Sequence, residues 1–378
     1  MRPTWCEIDL DKLIDNYTAI KNHVGQQVEL MPVVKADAYG HGAIQCARAL
    51  MDIGANRFAV AIVDEGIQLR KAGITCPILV LGYIPLEEIS NLIKWDLTPT
   101  VYTIEFAKKL SDKTNKNQKI HIKLDTGMGR LGFRGFKETI SAVETINKLD
   151  NINIEGIYSH FAISDALDKS YSYGQIEVFE EVIRELKKRG IEIPLKHFSN
   201  SAGIIDLPTS HYNCVRPGII LYGLYPSQEV QKNNIDLKPV KNFKTRISNL
   251  NTIHTNESVG YGRKYVANNE RVIATLAVGY ADGYSRLLSN KGEVILRGQR
   301  ANVVGTICMD QCMIDVTHIK DVKIGDEVLL YGENLPIEEI AQKMGTINYE
   351  VTCMTKERVL KLYYWKNILI KLDNFLIE

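Results

Sequence analysis

The chain has 378 residues, enough for two domains or for one barrel with an appended domain. Its net charge is +1 and 24% of its residues are charged, so it lacks the basic excess typical of proteins that bind nucleic acid or a membrane surface. No apolar stretch is long enough to span a bilayer and the N-terminus lacks a signal-peptide core, so we expect a cytoplasmic protein.

Up to about residue 225, short β-rich runs alternate with amphipathic helical segments. The predicted strands are Glu29–Val34, Phe58–Ile62, Ile78–Leu81, Thr98–Tyr102, Ile120–Leu124, Ile154–Ser159, Leu195–Phe198 and Val215–Leu221. The predicted helices are Asp11–His23, His41–Met51, Asp64–Lys71, Leu86–Lys94, Phe136–Lys148 and Tyr173–Lys188. Eight strands that alternate with helices indicate parallel βαβ units and predict an α/β fold, a (β/α)8 TIM-type barrel. An open doubly wound sheet is the alternative, although the chain has no G-x-G-x-x-G turn that would favour it.

After Tyr225 the pattern changes, and Pro226–Lys238 is polar. The β-type runs that follow are Thr245–His254, Arg271–Val278, Glu293–Leu296, Ala301–Ile307, Met313–Val316 and Glu327–Leu330. Only Ile337–Lys343 has a helical pattern in this half. We therefore predict an α/β barrel domain over residues 1–235 and a mainly β domain over residues 236–378. Leu360–Glu378 mixes apolar and charged residues, and its pattern predicts no particular structure.

The seven cysteines are scattered and odd in number, which argues against a disulfide framework. Cys308 and Cys312 could form part of a metal site, but no second pair or nearby histidine completes a set of four ligands. We predict reduced cysteines and no metal site.

In a parallel barrel the active site lies at the carboxyl ends of the strands. The first predicted strand leads to Lys35, which is followed by small residues, Tyr39 and two glycines that let a ligand approach the backbone closely. A lysine in such a place can be desolvated, which lowers its pKa and allows it to form a Schiff base with a carbonyl. From position alone, an ordinary solvated lysine is the better interpretation.

The later strand ends carry further polar side chains and a glycine, namely Lys123, Arg130, His160, Ser201, Arg216 and Gly218. The serine hydroxyl and the backbone N–H groups near Gly218 predict a phosphate cradle. Each residue alone has a simpler explanation, such as a hydrogen-bonded structural histidine or a solvated lysine. Together, a lysine nucleophile, a phosphate cradle and an arginine describe a site for pyridoxal phosphate.

Nine segments carry a wider resemblance: VVKADAYGHG, IKLDTGMGRLG, YSHFAISD, NSAG, VRPGIILYG, VGYGR, VGYADGYSR, GTICMDQCMIDV and TINYE. In their order and spacing the chain resembles the bacterial alanine racemases over nearly its whole length. The resemblance implies a fold-type III enzyme, with an eight-stranded α/β barrel followed by a β domain. It also implies the racemisation of L- and D-alanine, which supplies D-alanine for cell-wall peptidoglycan.

The resemblance implies a site for pyridoxal 5'-phosphate as well. Lys35 would hold the cofactor covalently, and Arg216 would hydrogen-bond its pyridine nitrogen. The other residues around the cofactor would be Tyr39, His160, Asn200, Ser201, Gly218, Ile219 and Tyr349.

Racemisation in this family uses two bases on opposite faces of the substrate, which the resemblance assigns to Lys35 and Tyr261. It implies that His160 links Tyr261 to Arg216. The substrate-binding residues would be Arg130, Tyr261, Met309 and Asp310. In the family Tyr261 and Met309 reach the site from the neighbouring subunit, which implies a homodimer with shared active sites. Lys123 aligns with a lysine that several relatives carry as a carbamate, which would orient Arg130.

The chain departs from the family pattern at Gly260, where serine is common, and in Arg358–Tyr364, which lacks the usual proline and second arginine. Some relatives prefer serine or accept larger amino acids, but bulky residues around this site favour alanine, with serine as a weaker substrate. A non-enzymatic cofactor-binding barrel would lack the β domain and the second base. A decarboxylase would need a cysteine–aspartate constellation that VGYGR and TICMDQ do not resemble.

Overall fold

The computed structural model describes residues 2–377, which divide into two compact units. The barrel unit comprises Leu13–Ala38 and Ala43–Lys238. The β unit comprises Met1–Lys12, Tyr39–Gly42 and Pro239–Glu378.

The strands are numbered in chain order. They are β1 (Trp5–Asp9), β2 (Glu29–Leu30), β3 (Phe58–Val60), β4 (Ile78–Val80), β5 (Thr98–Val101), β6 (Gln118–Lys123), β7 (Ile152–Tyr158), β8 (Leu195–His197), β9 (Cys214–Val215), β10 (Lys241–Ile253), β11 (Ser258–Val259), β12 (Tyr265–Val266), β13 (Arg271–Leu276), β14 (Glu293–Leu296), β15 (Gln299–Val303), β16 (Cys312–Asp315), β17 (Glu327–Tyr331), β18 (Leu360–Trp365) and β19 (Ile368–Asp373).

The helices are α1 (Leu10–Val24), α2 (Lys35–Gly40), α3 (Ala43–Asp52), α4 (Val63–Lys71), α5 (Ile89–Lys94), α6 (Ile104–Lys113), α7 (Phe136–Asn147), α8 (Ser170–Lys188), α9 (Ser201–Asp206), α10 (Ile337–Met344) and α11 (Asn348–Cys353). Short 3-10 turns lie at Leu86–Glu88, Pro208–Ser210, Ile219–Tyr222, Lys232–Asn234, Tyr261–Arg263, Tyr280–Asp282 and Arg286–Leu288. The helices α2, α6, α9 and α11 have no counterpart among the predicted helices.

The strands of the barrel unit pair in the order β2-β9-β8-β7-β6-β5-β4-β3, and every one of these pairs is parallel. The ring closes next to β2, where Val33 forms a parallel bridge with Ala59 and the Val34 N–H donates to the Ala59 carbonyl at 2.9 Å. The predicted (β/α)8 barrel is therefore confirmed. The connecting helices bury apolar stripes, as in α8, where Ile176, Phe179 and Val182 recur every three residues and are buried.

The last barrel strand is shorter than its predicted range of Val215–Leu221. β9 ends at Val215, and Ile219–Tyr222 forms a 3-10 turn instead. Pro217 has no N–H to continue the ladder, and Gly218 adopts a φ of −115° with a ψ of −101°, which is not a strand conformation. The chain therefore turns across the mouth of the barrel immediately after Arg216.

Helix α2 is left-handed. Ala36, Asp37, Ala38 and Tyr39 all have φ between 51° and 54°, a conformation that costs L-residues roughly 1–2 kcal/mol each. The side chains of Glu65 and Asp37 accept hydrogen bonds from the backbone N–H groups of Ala36 (2.6 Å) and Ala43 (2.8 Å). These bonds help to hold the turn that begins at Lys35. The sequence pattern predicts a close backbone approach here but not the handedness.

The β unit contains a closed ring of strands in the order β13-β16-β15-β14-β17-β10, which is closed by the antiparallel pairing of β10 with β13. β1, β18 and β19 extend the sheet from β10. The predicted mainly β character of this half is confirmed. β1 has no counterpart among the predicted strands, and the segment after residue 360 forms the β18–β19 hairpin. Within residues 2–377, no helix combines the length and apolarity that crossing a membrane requires.

Candidate active site

The carboxyl ends of the barrel strands bring several predicted site residues to one edge of the barrel unit. Lys35 follows the β2 segment and Lys123 is the last residue of β6. His160 follows β7, Ser201 begins the helix after β8, and Arg216 follows β9. Parallel strands end on the same side of a barrel, so these side chains belong to one mouth.

The guanidinium of Arg216 is buried and almost fully hydrogen-bonded. Its Nη1 donates to Nδ1 and to the carbonyl of His197 at 2.9 and 3.0 Å. Its Nη2 donates to the carbonyls of Ser159 and Phe198 at 2.8 and 2.9 Å and to His160 Nδ1 at 3.2 Å. Of its five N–H groups, only Nε–H has no acceptor among residues 2–377. Burial lowers the pKa of Arg216 to about 10, so the group stays charged at neutral pH.

His160 is neutral and its tautomer is fixed by Arg216. An arginine can only donate, so Nδ1 of His160 accepts and its proton lies on Nε2. Burial lowers the pKa of His160 well below its ordinary value, and the positive charge of Arg216 lowers it further.

Lys123 is buried, and its environment favours the neutral amine. Its Nζ donates to the Leu124 carbonyl at 2.7 Å and lies 5.0 Å from the ring centroid of Tyr158. Burial, together with Arg216 and Arg130, lowers the pKa of Lys123 well below its ordinary value. A neutral amine is nucleophilic, which a solvated lysine at neutral pH is not.

Tyr158 lies between the charged groups of the mouth. Its ring centroid is 5.0 Å from Lys123 Nζ and 5.0 Å from the Arg216 guanidinium carbon, and it stacks on His197 at 4.5 Å. The Tyr158 hydroxyl pairs with Thr100 Oγ1 at 2.8 Å, and burial raises its pKa to about 12. The sequence patterns did not single out Tyr158 or His197. Strand alternation is the signal that could have found them, because both lie near the ends of predicted strands that carry site residues.

The predicted phosphate-binding residues after β8 and β9 lie together. The Gly218 N–H donates to Ser201 Oγ at 3.0 Å. Asn200 caps α9, since its Oδ1 accepts from the Gly203 N–H at 3.0 Å. Ile219 is fully buried at the start of the 3-10 turn. Ser201 and Gly218 therefore form one polar pair, whereas the amide oxygen of Asn200 is used by the helix end.

In the β unit, the structure brings Tyr39 and Tyr349 together. Their ring centroids are 6.1 Å apart with an interplanar angle of 56°. Thr352, in the same helix α11 as Tyr349, donates through Oγ1 to the Tyr39 carbonyl at 3.1 Å. Lys241 Nζ donates to the Thr352 carbonyl at 2.7 Å, which ties β10 to this pair.

Tyr261, Met309 and Asp310 lie on neighbouring loops of the β unit. The side chains of Tyr261 and Met309 are exposed, at 73% and 54% respectively. Thr306 Oγ1 donates to the Tyr261 carbonyl at 3.0 Å, which joins the two loops. Asp310 forms an ion pair with Arg358 at 2.6 Å and is therefore held at the surface of its own unit.

Gly260, where the chain departs from the family pattern, has a φ of +70°. A Cβ at this position would lie 2.8 Å from the methyl carbon of Met313. A side chain at residue 260 would therefore be strained both by its backbone conformation and by contact.

Within residues 2–377, no group of three or more His, Cys, Asp or Glu side chains is arranged to hold a metal ion. The polar groups of the barrel mouth are a lysine amine, an arginine, neutral imidazoles and hydroxyls. Such groups suit an organic, anionic ligand with an acceptor nitrogen rather than a cation.

The comparisons with known proteins agree with each other. The family model "Alanine racemase, N-terminal domain" matches residues 8–226, and "Alanine racemase, C-terminal domain" matches residues 240–363. Alanine racemase of Clostridium tetani is 51% identical to this chain, over 99% of both chains. The solved structure of alanine racemase from Clostridium difficile 630 has a TM-score of 0.97 and 41% identity, over 99% of both chains. That of alanine racemase from Bacillus anthracis with bound L-Ala-P has a TM-score of 0.94 and 36% identity, over 100% of this chain and 98% of that one. The chain belongs to the alanine racemase family.

Proposed function

We propose that this enzyme interconverts L- and D-alanine with pyridoxal 5'-phosphate bound to Lys35, by a two-base mechanism, and that it supplies D-alanine for cell-wall peptidoglycan. The observation that carries the cofactor assignment is the Nε–H of Arg216, a donor on a side chain that is 3% exposed, for which no acceptor lies among residues 2–377. A pyridine nitrogen is an acceptor that fits such a donor.

The residues at the barrel mouth fit the cofactor in their chemistry. Lys35 offers an amine for a Schiff base, Arg216 a donor for the ring nitrogen, and Ser201 with Gly218 a polar pair for the phosphate. The hydroxyls of Tyr39 and Tyr349 would add further phosphate donors. When bound, the cofactor acidifies the α-proton of the substrate by delocalising the negative charge that forms. Arg216 donates a hydrogen bond without giving up its proton, which limits that delocalisation and with it the side reactions.

Inversion at the α-carbon requires a base on each face of the substrate. We assign the base for D-alanine to Lys35 and the base for L-alanine to Tyr261. His160 carries its proton on Nε2, so it can donate a hydrogen bond to the phenolic oxygen of Tyr261 and orient that side chain. Arg216 is a permanent donor to His160 Nδ1 and prevents the opposite tautomer.

By the family resemblance we assign the substrate carboxylate to Arg130 and count Met309 and Asp310 among the substrate-site residues. The neutral amine of Lys123 supports a carbamate at this position, formed by addition of carbon dioxide to Nζ with loss of one proton. The product is an anion that would orient Arg130. An electron-density map of the crystallised enzyme would reveal the three added atoms.

The proposal includes a homodimer in which Tyr261 and Met309 serve the partner subunit's site. Their large exposed fractions in the single chain support it, because both side chains are available to a second copy.

Complementation between two inactive variants tests the proposed function. Lys35→Ala and Tyr261→Phe enzymes should each produce no D-alanine from L-alanine. When the two are mixed and allowed to exchange subunits, half of the dimers are mixed and each contains one intact site. About a quarter of the wild-type activity should return. No recovery would place both bases in one subunit, and no D-alanine from the wild type would refute the function. L-serine in the same assay measures specificity.

A further inference from the structure

A chain of buried side chains leads from Arg216 across the interior of the barrel unit. Arg216 Nη1 is 2.9 Å from Nδ1 of His197. Nε2 of His197 is 2.8 Å from Nδ1 of His121, and Nε2 of His121 is 3.2 Å from Oε2 of Glu155. His197 and His121 are 0% and 1% exposed, so the contact between the two rings is closed to water, whereas the side chain of Glu155 is 14% exposed. None of the roles assigned above uses His121 or Glu155.

The direction of these hydrogen bonds is fixed from both ends. Arg216 can only donate, so His197 must accept at Nδ1 and carry its proton on Nε2. That proton is donated to Nδ1 of His121, which must in turn carry its proton on Nε2. Glu155, as a carboxylate, can only accept, and it receives the last donor. Both imidazoles are therefore neutral and both are Nε2–H tautomers.

The surroundings favour the same assignment. Burial lowers the pKa of both His121 and His197, so neither holds a second proton at neutral pH. Glu155 also pairs with Lys119 at 2.7 Å and lies 3.8 Å from Arg57, and its pKa is lowered to about 2, first by the hydrogen bond from His121. The carboxylate is thus ionised over the whole neutral range.

The packing around His121 and His197 restricts rotation of both rings. A Cβ on Gly156 would lie 2.6 Å from Nδ1 of His121, so the glycine provides the space in which that ring lies. On the other side, His197 is stacked on Tyr158 with an interplanar angle of 10°. The rings are held in place, and only their protons could rearrange.

We propose that Glu155 is a positioning residue for Arg216. By accepting from His121, Glu155 keeps Nδ1 of His197 as the acceptor of the Arg216 Nη1–H. The guanidinium is thereby held with its Nε–H available to the cofactor. Without the carboxylate, the buried Nε2–H of His121 loses its acceptor. If His121 moved its proton to Nδ1, this N–H would point at the Nε2–H of His197. If His197 then moved its own proton to Nδ1, that N–H would point at the Nη1–H of Arg216. The disturbance would reach the guanidinium and turn it from its position.

The inference rests on the proposed cofactor role of Arg216, and its test has a readout that does not depend on turnover. Nitrogen-15 NMR of the purified enzyme, with labelled histidine, reports which ring nitrogen carries the proton. His121→Asn and His197→Asn variants assign the two signals. In the wild type both rings should be neutral Nε2–H tautomers at pH 7. A proton on Nδ1 of His197 in the wild type would refute the proposal, and no Glu155 variant would be needed to decide it.

Two substitutions at Glu155 separate positioning from simple stability. Glu155→Leu removes the acceptor, and the two tautomers should become mixed while kcat falls about tenfold or more, the usual effect of losing an orienting partner behind a site residue. KM for alanine should change little, because the role proposed for Arg216 is toward the cofactor ring and the substrate carboxylate is assigned to Arg130. Glu155→Gln keeps a carbonyl acceptor and should restore both the tautomers and the rate.

Glu29→Leu is the matched control, since Glu29 pairs with the same Arg57 (2.6 Å) but does not contact either imidazole. It should leave the tautomers and kcat unchanged. A folded Glu155→Leu enzyme with wild-type tautomers and rate would refute the positioning role while leaving the racemase function intact. A wild type without racemase activity would refute the function, whereas the NMR result would still decide whether the relay exists.

Discussion

At the scale of single residues, Gly42 shows how backbone conformation and space can both exclude a side chain. Its φ is +92°, in the left-handed region that favours glycine. A Cβ on Gly42 would overlap the hydroxyl of Tyr363, which is only 1% exposed and cannot move into solvent. Gly42 lies two residues beyond the end of helix α2, so it shapes the segment that follows Tyr39 and Gly40.

Gly42→Ala should therefore lower the free energy of unfolding by about 2–4 kcal/mol, through overpacking together with the cost of a left-handed alanine. Gly73→Ala is the matched control. Gly73 has a φ of +88°, but no atom lies within 4 Å of the place that a Cβ would take, so only the backbone cost of about 1 kcal/mol remains. Urea unfolding of both variants measures the difference. Equal losses would mean that the contact with Tyr363 does not matter.

At the scale of elements, the left-handed helix α2 reverses the usual effect of glycine. In a right-handed helix an alanine-to-glycine change costs about 1 kcal/mol. Ala36 has an exposed side chain and a φ of 51°, so glycine at this position relieves backbone strain and removes no contact of consequence. The strained conformation is stabilised by the hydrogen bonds that the backbone N–H groups of Ala36 and Ala43 donate to Glu65 and Asp37, next to Lys35.

Ala36→Gly should therefore leave the free energy of unfolding unchanged or raise it by up to about 1 kcal/mol. Ala19→Gly, within the right-handed helix α1, is the control and should lower it by about 1 kcal/mol. Thermal or urea unfolding distinguishes the two. A similar loss at both positions would contradict the left-handed conformation at Ala36.

The elements also show what the sequence could predict. Barrel strands alternate with amphipathic helices at regular spacing, so the (β/α)8 architecture follows from periodicity. Handedness leaves no trace in periodicity, and α2 therefore went unpredicted. The hydrogen-bonded chain from Arg216 to Glu155 could not be predicted from the sequence either. His121 and Glu155 have the pattern of ordinary residues of β6 and β7, and only the closed barrel brings them together with His197. The positions of Lys35, Lys123 and Arg216 at one mouth could be predicted because parallel strands end on the same side of a barrel, whereas their roles remain predictions.

At the scale of the whole molecule, the buried histidines and Glu155 couple the stability of the barrel unit to pH. Burial lowers the pKa of His121, His160, His197 and His211 in the folded protein. Below pH about 6.5 the unfolded chain binds protons at these positions that the folded chain does not. Stability should therefore fall as the pH drops below that value. Because the ordinary pKa of histidine lies above those of carboxylates, the loss from these four histidines comes first as the pH falls.

Glu155 adds a second loss at lower pH. Its pKa is about 2 in the folded protein against an ordinary 4.5, so its contribution is fully present above pH 4.5 and disappears as the pH falls towards 2. Trp95 is the single tryptophan of the barrel unit, so a Trp5→Phe, Trp365→Phe background gives a fluorescence signal for that unit alone.

In this background, urea unfolding of the Glu155 and Glu155→Gln proteins should be compared at pH 7, 5.5, 4.5 and 3.5, at one protein concentration because a dimer links stability to concentration. The Glu155 protein should be the more stable of the two at pH 7 and 5.5, since only the carboxylate pairs with Lys119 and Arg57 as a charge. The difference between their free energies of unfolding should shrink between pH 4.5 and 3.5. In this range the Glu155 carboxylate of the unfolded chain binds a proton, which the amide of Gln cannot do. Both proteins should lose stability alike between pH 6.5 and 5.5, where the histidines act. A difference that stays constant down to pH 3.5 would show that the ionised state of Glu155 does not stabilise the barrel.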